Sequence, residues 1–162
     1  MTEKTKISIM SILKWGIIVL IAFLISLNFR GQKTSNTSID KMEKAVISNA
    51  DMDMMQKGNN QMIKRLYGLN PDDYSGIILY YPKTNMGSEE LLLVKLKSID
   101  QQEKVKSAID SRLKTQKNNF DGYGTYQAGM LDKSIIEVKG NYILFISGNK
   151  PEKVRSDFLN TL

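Results

Sequence analysis

The sequence predicts an α+β protein with a single-pass N-terminal helix and one domain, whose mainly antiparallel four-stranded sheet carries helices on one face. Three observations lead to this fold class. One long apolar run, Trp15–Phe29, stands near the N-terminus. Short β-branched and aromatic stretches follow, separated by turn residues, and one long amphipathic helical pattern lies between them. Strands and helices that occur in this order are typical of an antiparallel sheet with helices packed against it.

The apolar run contains no charged residue. Counted back to Ile7, the segment has 23 residues and is interrupted only by Lys14, whose ammonium group can extend to the lipid headgroups. About 20 residues of helix are needed to cross the hydrocarbon core of a bilayer. We therefore expect residues 7–29 to hold the chain in a membrane.

A retained signal anchor is favoured over a cleaved signal peptide and over a buried helix of a soluble protein. The lysines before the run suit either kind of signal, but no small-x-small cleavage site follows it. Their charge favours a short N-terminus inside the cell and the C-terminal bulk outside. The predicted organisation is a signal anchor over residues 1–30, a polar linker over 31–37 and an extracytoplasmic domain over 38–162.

The net charge of +6 is concentrated beside the predicted anchor. Residues 1–33 carry +4 and residues 34–162 only +2. Anionic lipid attracts basic residues next to a membrane, whereas a nucleic-acid-binding domain needs a basic stripe of its own. The sequence thus predicts a membrane as partner and no nucleic acid.

Composition excludes several kinds of chemistry. The chain has no cysteine and no histidine, which rules out disulfides, thiol nucleophiles, imidazole catalysis and the usual zinc sites. Asp51 and Asp53 have the spacing that begins a calcium loop, but Gln56 and Met62 stand where that loop needs glycine and glutamate. We expect neither a metal nor a cofactor.

Ser38 and Lys41 match the S-x-x-K pair of penicillin-binding enzymes. The companion motifs are missing, and the domain is small for that fold. A capping role for the serine at the start of a helix is therefore favoured.

Four strands are expected, and the second should be central because its leucines are unbroken. A glycine–asparagine turn should join the last two into a hairpin. The predicted strands are Gly76–Pro82, Glu89–Lys97, Ile135–Lys139 and Tyr142–Ser147.

Apolar periodicity and capping signals predict the helices. Thr37 is expected to cap the first, Gly68 to end the second, and Ser98 with Gln101 to open the longest. The predicted helices run from about residue 38 to 48, from 60 to 67, from 100 to 117, from 125 to 131, and onward from Pro151.

The segments YYPKTNMGSEELLLVKLK and QQEKVKSAIDSRLKTQKNNFDGYGTYQAGM, with the later hairpin, resemble the bacterial family called domain of unknown function 4358. The similarity spans about residues 38–158. Its most characteristic pieces are Met86–Glu90, Gln116–Tyr123 and Gly140–Tyr142. The resemblance implies a small exported or anchored protein of Gram-positive bacteria. Many relatives carry a lipid-attachment cysteine after the apolar run; its absence here implies anchoring by the helix. The resemblance implies no activity.

The most distinctive candidate site is the loop that holds Phe120, Tyr123 and Tyr126 among glycines. Tyrosine gives a large contact area with little loss of conformational entropy, so the loop suits recognition of a partner. The alternative is that these aromatic side chains cover the open end of the core.

A second group of candidates surrounds the turn before the second strand. Asn85 lies in the turn, and Glu89 and Glu90 follow it. Adjacent residues of a strand point to opposite faces, so the two carboxylates cannot act together as an acid–base pair. One glutamate is expected to hold the turn through backbone N–H groups, and a ligand contact is the alternative.

These observations favour a membrane-tethered, non-enzymatic module that binds a protein, peptide or cell-envelope partner. The alternative is a small envelope hydrolase or transferase that uses serine, lysine and carboxylates. A Ser–Lys contact or two carboxylates in one pocket would favour the enzyme. The sequence leaves the oligomeric state open.

Overall fold

A computed structural model describes residues 14–21, 23 and 34–162. Residues 14–21 and 23 are helical, and their side chains are exposed. The predicted membrane segment spans residues 7–29, and its other residues lie outside the described part of the chain. Within the described part of the chain, no helix is both long enough and apolar enough to cross a membrane.

Residues 34–162 form one compact unit of five α-helices and five strands. The helices are α1 (Ile39–Ile47), α2 (Asn60–Tyr67), α3 (Gln102–Phe120), α4 (Thr125–Asp132) and α5 (Pro151–Thr161). The strands are β1 (Met55–Lys57), β2 (Gly76–Pro82), β3 (Glu90–Lys95), β4 (Ile135–Lys139) and β5 (Tyr142–Ser147).

The sheet is antiparallel throughout, in the order β1-β2-β3-β5-β4. The α+β class, the four predicted strands and the central place of β3 are confirmed. The predicted strand count is wrong, because β1 adds a fifth strand by pairing Met55 with Pro82 and Lys57 with Tyr80. Three residues without β-branched side chains give no strand pattern, so only the tertiary pairing identifies β1.

Helices cover both faces of the sheet, and the prediction of one covered face is wrong. Leu91 and Leu93 of β3 pack in a cluster with buried side chains of α1 and α5. Leu92 and Val94 pack in a second cluster with side chains of α2 and α3. The unbroken apolar runs of β3 and β5 follow from this layering, because a strand covered on both faces needs apolar residues at every position.

Local capping chemistry sets several helix boundaries. Ser38, not Thr37, is the N-cap of α1, and its hydroxyl oxygen accepts a hydrogen bond from the Lys41 N–H at 3.3 Å. The S-x-x-K pair is thus a helix cap. Gly68 ends α2 with φ +65°, a left-handed conformation that glycine adopts without a steric penalty.

Thr37, which the sequence assigns to the linker, lies against the domain. Its hydroxyl donates to the Thr161 carbonyl oxygen at 3.0 Å. Its own carbonyl oxygen accepts hydrogen bonds from the Tyr142 hydroxyl at 2.6 Å and from Lys95 Nζ at 2.7 Å. These contacts connect the start of the domain to its C-terminal helix.

Candidate functional site

A buried polar cluster surrounds Glu90, the first residue of β3. Its side chain has no solvent exposure. Arg112 donates to both carboxylate oxygens, from Nε at 3.0 Å and from Nη2 at 2.7 Å. Gln116 Nε2 donates at 2.9 Å, and the Tyr67 hydroxyl donates as well. A buried carboxylate is tolerable only when it is paired and hydrogen-bonded, and Glu90 meets both conditions.

Three elements bring this cluster together. Glu90 is on the α2–α3 face of the sheet, since alternation puts it on the same side as Leu92. Arg112 and Gln116 are four residues apart on α3, so they occupy one face of that helix. Tyr67 is the last residue of α2, held in position by the turn at Gly68. The cluster thus connects the sheet to both helices on that face.

Burial and the local charges shift two pKa values in the cluster. Burial, and then the adjacent Glu90 carboxylate, raise the pKa of the Tyr67 hydroxyl well above its usual value. Burial lowers the pKa of Arg112, but the hydrogen bonds and charge of Glu90 outweigh that effect and raise it overall. Tyr67 therefore remains a neutral donor, and Arg112 remains a cation.

Replacing Tyr67 with phenylalanine should change how stability responds to alkaline pH. The unfolded chain releases the Tyr67 proton near pH 10, whereas the folded protein retains it, so this group's contribution is complete below pH 10 and is lost as pH rises. The wild-type free energy of unfolding should therefore fall more steeply above pH 10, by up to about 1.4 kcal/mol per pH unit. Urea denaturation of both proteins between pH 8 and 11.5 measures the difference. If the free energies of unfolding of wild type and Tyr67→Phe fall in parallel above pH 10, the raised pKa of Tyr67 in the folded protein is contradicted.

A cavity of about 260 Å³ opens beside this cluster. Most of its polar side chains are amides and guanidinium groups. Its lining residues are Arg65, Leu66, Tyr81, Pro82, Thr84, Asn85, Gly87, Arg112, Gln116, Asn119 and Phe120. Four segments therefore shape it: the C-terminal half of α3, the end of α2, the end of β2, and the loop 83–88 that follows β2. We call it the α3 cavity.

The buried wall of the α3 cavity contains an unsatisfied acceptor. Gln116 is only 2% exposed, and its Oε1 atom has no hydrogen-bond partner. The orientation of the amide is fixed, because Nε2 faces the Glu90 carboxylate and an ionised carboxylate accepts hydrogen bonds but cannot donate them. Oε1 is therefore a buried acceptor without a hydrogen-bond partner among the described residues.

The charge of the α3 cavity is smaller than its two arginines suggest. The Glu90 carboxylate balances Arg112. Arg65 is exposed and has no ion-pair partner among the residues that the structure describes. One surface cation thus remains uncompensated beside an otherwise neutral polar cavity.

Three large apolar side chains are exposed in the loop 83–88 and in the segment that follows α3: Tyr123 at 64%, Tyr126 at 63% and Met86 at 56%. We call them the Tyr–Met surface. Met86 belongs to the loop 83–88, Tyr123 follows α3, and Tyr126 lies on α4. Gln127 Nε2 donates to the Met86 carbonyl oxygen at 3.2 Å and so connects α4 to the loop.

Both tyrosine rings of this surface are held by hydrogen bonds. The Tyr123 hydroxyl donates to the Asn119 carbonyl oxygen, and the Tyr126 hydroxyl donates to Asn149 Oδ1 at 2.8 Å. The Tyr123 ring also lies 6.4 Å from that of Phe120, measured between centroids. Fixed rings lose little entropy when a partner binds, so this surface is preorganised for contact.

The structure brings some of the predicted site residues together and separates others. Asn85 and Phe120 line the α3 cavity, although Phe120 is the last residue of α3 and not part of a loop. Glu90 does not line the α3 cavity, but it is hydrogen-bonded to two residues that do, Arg112 and Gln116. Tyr123 lines a neighbouring cavity of about 490 Å³, and Tyr126 lines another of about 280 Å³.

Glu89 holds the turn before β3. It is buried, and its Oε2 accepts a hydrogen bond from the Ser88 N–H at 3.1 Å. One of the two glutamates was expected to bind backbone N–H groups of this turn, and Glu89 has that role. Its neighbour Glu90 instead binds the side chains of α2 and α3.

The sequence interpretation missed Arg112, Gln116 and Arg65. A signal for Gln116 exists, since it continues the buried stripe of α3 formed by Val105, Ile109 and Phe120. An amide at a buried helical position needs hydrogen-bond partners and so indicates a polar cluster. The partner itself, Glu90, is distant in sequence, and only the fold identifies it.

Asp51, which the sequence offers as the start of a calcium loop, has a structural role. Asp51 accepts hydrogen bonds from the Asn149 N–H at 2.6 Å and from Asn149 Nδ2 at 3.2 Å, and so holds the chain between β5 and α5. Across the described residues, no group of three or more histidine, cysteine, aspartate or glutamate side chains could hold a metal ion.

Comparison with known proteins gives one match. The profile of a family described as "Domain of unknown function (DUF4358)" matches residues 48–148. No curated protein and no solved structure matches the chain. The matched range contains every residue that lines the α3 cavity and all five strands of the sheet. The family description assigns no activity. The matched residues 48–148 make up more than half of the chain, and the chain therefore belongs to the DUF4358 family.

Proposed function

We propose that residues 38–162 form a non-enzymatic module that binds a segment of a partner protein at the α3 cavity and the Tyr–Met surface. Three large exposed apolar side chains, Tyr123, Tyr126 and Met86, carry this proposal. Contact with a partner would remove their apolar area from water, which is favourable. A cavity of about 260 Å³ has room for one anchoring group.

The exposed apolar residues favour a protein partner over other envelope components. Tyrosine and methionine are enriched at protein interfaces, where they supply apolar contact area. Tyr123 and Met86 belong to segments next to residues that line the α3 cavity, whose lining includes polar amides and the exposed Arg65. Apolar side chains next to polar groups suit an apolar contact zone with a polar anchor. A peptide chain can meet both requirements, because it presents apolar side chains and hydrogen-bonding groups side by side.

Catalysis has weaker support. No serine, lysine, aspartate or glutamate lines the α3 cavity, and the nearby Glu90 already accepts four hydrogen bonds. The neighbouring 490 Å³ cavity does contain two carboxylates, Asp121 and Asp132. Asp132 is 68% exposed and pairs with Lys117 at 2.7 Å, so its charge is solvated and balanced. This arrangement lacks the desolvation that tunes a catalytic carboxylate.

The proposal includes a membrane tether formed by residues 7–29, with the domain outside the cell. The uncharged apolar run supports it. Trp15, Leu20 and Phe23 are among the apolar side chains exposed on the helical residues 14–21 and 23, which suits a lipid environment.

Photocrosslinking in intact cells tests the partner and the location together. A photoreactive residue at position 123 should capture a specific protein. The same residue at Lys139, an exposed position at the opposite end of the sheet, should not. Adding Asn85→Trp to the position-123 variant should reduce capture several-fold by filling the cavity. Protease added to the intact cells should digest the crosslinked product.

Equal capture from positions 123 and 139, or none from either, would contradict the binding proposal. A crosslinked product that resists external protease would instead contradict the location outside the cell. The two parts of the proposal can therefore fail separately.

A further inference from the structure

Strand β4 (Ile135–Lys139) is an outer strand of the sheet and pairs with β5 on one side only. It contains no proline, and its register with β5 is continuous, so no bulge interrupts it. Within the described part of the chain, the backbone–backbone hydrogen bonds of residues 135–139 are those with β5 alone. Alternate residues of such a strand turn their N–H and C=O groups outward, where another strand can pair with them.

The opposite edge of the sheet is less suited to pairing. Strand β1 has only three residues, and its Lys57 is exposed and pairs with Glu43 at 2.5 Å. Short edge strands and edge lysines are devices by which proteins avoid edge-to-edge association. Strand β4 is longer and carries apolar side chains at Ile135, Ile136 and Val138. The edge open to a further strand is therefore that of β4.

The charges of β4 make the strand complementary to itself. Glu137 lies opposite Leu144, and Lys139 lies opposite Tyr142. Both of these β5 residues belong to the cluster packed against α1 and α5, so Glu137 and Lys139 share that face of the sheet. Val138, between them, is on the other face. Two β4 strands that pair antiparallel about Val138 thus place Glu137 of each copy opposite Lys139 of the other.

Both charges are available for this pairing. Lys139 is exposed and has no ion-pair partner among the residues that the structure describes. Glu137 Oε2 pairs with Arg155 Nε at 2.5 Å, while Glu137 Oε1 forms no hydrogen bond to a described residue. A carboxylate accepts through both of its oxygens, so Oε1 can bind a second cation.

We propose that β4 pairs with β4 of a second copy of this chain, antiparallel and centred on Val138, and so joins two five-stranded sheets into one. The second copy supplies the matching order of charges by symmetry, because the same three residues are read in reverse. Two cross-strand ion pairs and the contact between the Val138 side chains add to the backbone hydrogen bonds. The paired segment is short, so we expect a weak, reversible dimer.

This inference goes beyond the proposed binding of a partner protein, because no residue of β4 lines the α3 cavity. A photoreactive residue at position 139 removes the lysine on which the pairing depends. Any remaining crosslink between two copies has twice the mass of the chain, so it is not mistaken for a captured partner. The two proposals therefore fail separately.

A single introduced cysteine tests the pairing directly, since the chain has none of its own. In the full chain, kept in a mild detergent, Val138→Cys lies on the symmetry axis and should give a disulfide-linked dimer on oxidation, because opposite residues of paired strands are close enough for the bond. Gln56→Cys, an exposed position at the centre of β1, should remain monomeric under the same conditions.

Charge reversal tests the register. Glu137→Lys and Lys139→Glu each bring like charges together across the twofold axis, so each should raise the dissociation constant for self-association at least about tenfold. The double variant should return to within about threefold of wild type, and an equimolar mixture of the two single variants should associate as wild type does. Sedimentation velocity over a concentration series measures all four. Lys114→Glu, at an exposed position of α3, makes the same change in net charge and should have no effect.

Val138→Cys that crosslinks no better than Gln56→Cys would overturn the pairing of β4 with itself. A double variant, or a mixture of the single variants, that associates no better than the single variants alone would overturn the register centred on Val138. Circular dichroism establishes that each variant is folded. If Glu137→Lys does not fold, the comparison of Lys139→Glu with Lys114→Glu decides the question, and equal association of these two would refute the ion pairs.

Discussion

Replacing Glu90 with glutamine should lower the free energy of unfolding by about 3–5 kcal/mol, because it leaves the Arg112 cation without its counterion. The side chain of Glu90 has no solvent exposure, and that of Arg112 is 14% exposed. Glutamine keeps the size but replaces one acceptor oxygen with a donor N–H₂ group, which would face the donors of Arg112, Gln116 or Tyr67. Urea denaturation at neutral pH measures the change.

Glu137→Gln is the matched control. Glu137 pairs with Arg155 at 2.5 Å, but the side chains of this pair are 20% and 41% exposed, respectively. Exposed ion pairs contribute little to stability, so this variant should remain close to wild type. The double variant Glu90→Gln with Arg112→Met should recover part of the loss, because it removes the unpaired cation. A Glu90→Gln loss below about 1 kcal/mol would contradict the account of the cluster.

Replacing Phe158 with alanine should lower the free energy of unfolding by about 3–5 kcal/mol. Phe158 is fully buried on α5, where its ring meets that of Tyr142 edge-on, with centroids 6.3 Å apart. Its removal opens a cavity between α5 and the sheet, which the surrounding residues fill only in part. Thermal and urea unfolding measure the loss. Lys153→Ala, at an exposed position of the same helix, should change stability by less than about 0.5 kcal/mol.

Phe158 lies on a face of the sheet whose helical cover falls outside the residues that match the family. On the face that β3 presents through Leu91 and Leu93, the buried helical residues are Met42, Val46, Val154 and Phe158. All four lie outside the matched residues 48–148. The matched range alone would expose that apolar face to water, so we infer that folding requires α1 and α5 as well. If Phe158→Ala is as stable as wild type, this dependence is refuted.

The fold could be predicted from local signals to a large extent. Proline and glycine marked the ends of β2 and α2, and the glycine–asparagine turn marked the β4–β5 hairpin. These signals depend on backbone conformations that a few residue types favour. Strand β1 escaped prediction because Met55–Lys57 becomes a strand only through its pairing with β2. The unbroken leucines of β3 indicate a central strand, and they also agree with a sheet that is covered on both faces.

The candidate site was predicted only in outline. Asn85 and Phe120 were selected from turn and aromatic patterns, and both line the α3 cavity. Arg112 and Gln116 resembled the other polar residues of an amphipathic helix. Their importance comes from Glu90, 22 and 26 residues away, respectively, and no local pattern records that pairing.

The sequence by itself determined the elements whose signals are local: the uncharged apolar run, the end of α2 at Gly68, the hairpin turn and the α+β class. It also determined what the chain lacks, since no histidine or cysteine chemistry is available. Only the tertiary structure decided that Glu90 is a buried structural anion, that Gln116 presents an unsatisfied acceptor, and that helices enclose both faces of the sheet. The physical reason is that burial and hydrogen-bond satisfaction depend on which distant segments come into contact, whereas caps and turns depend on neighbours in sequence.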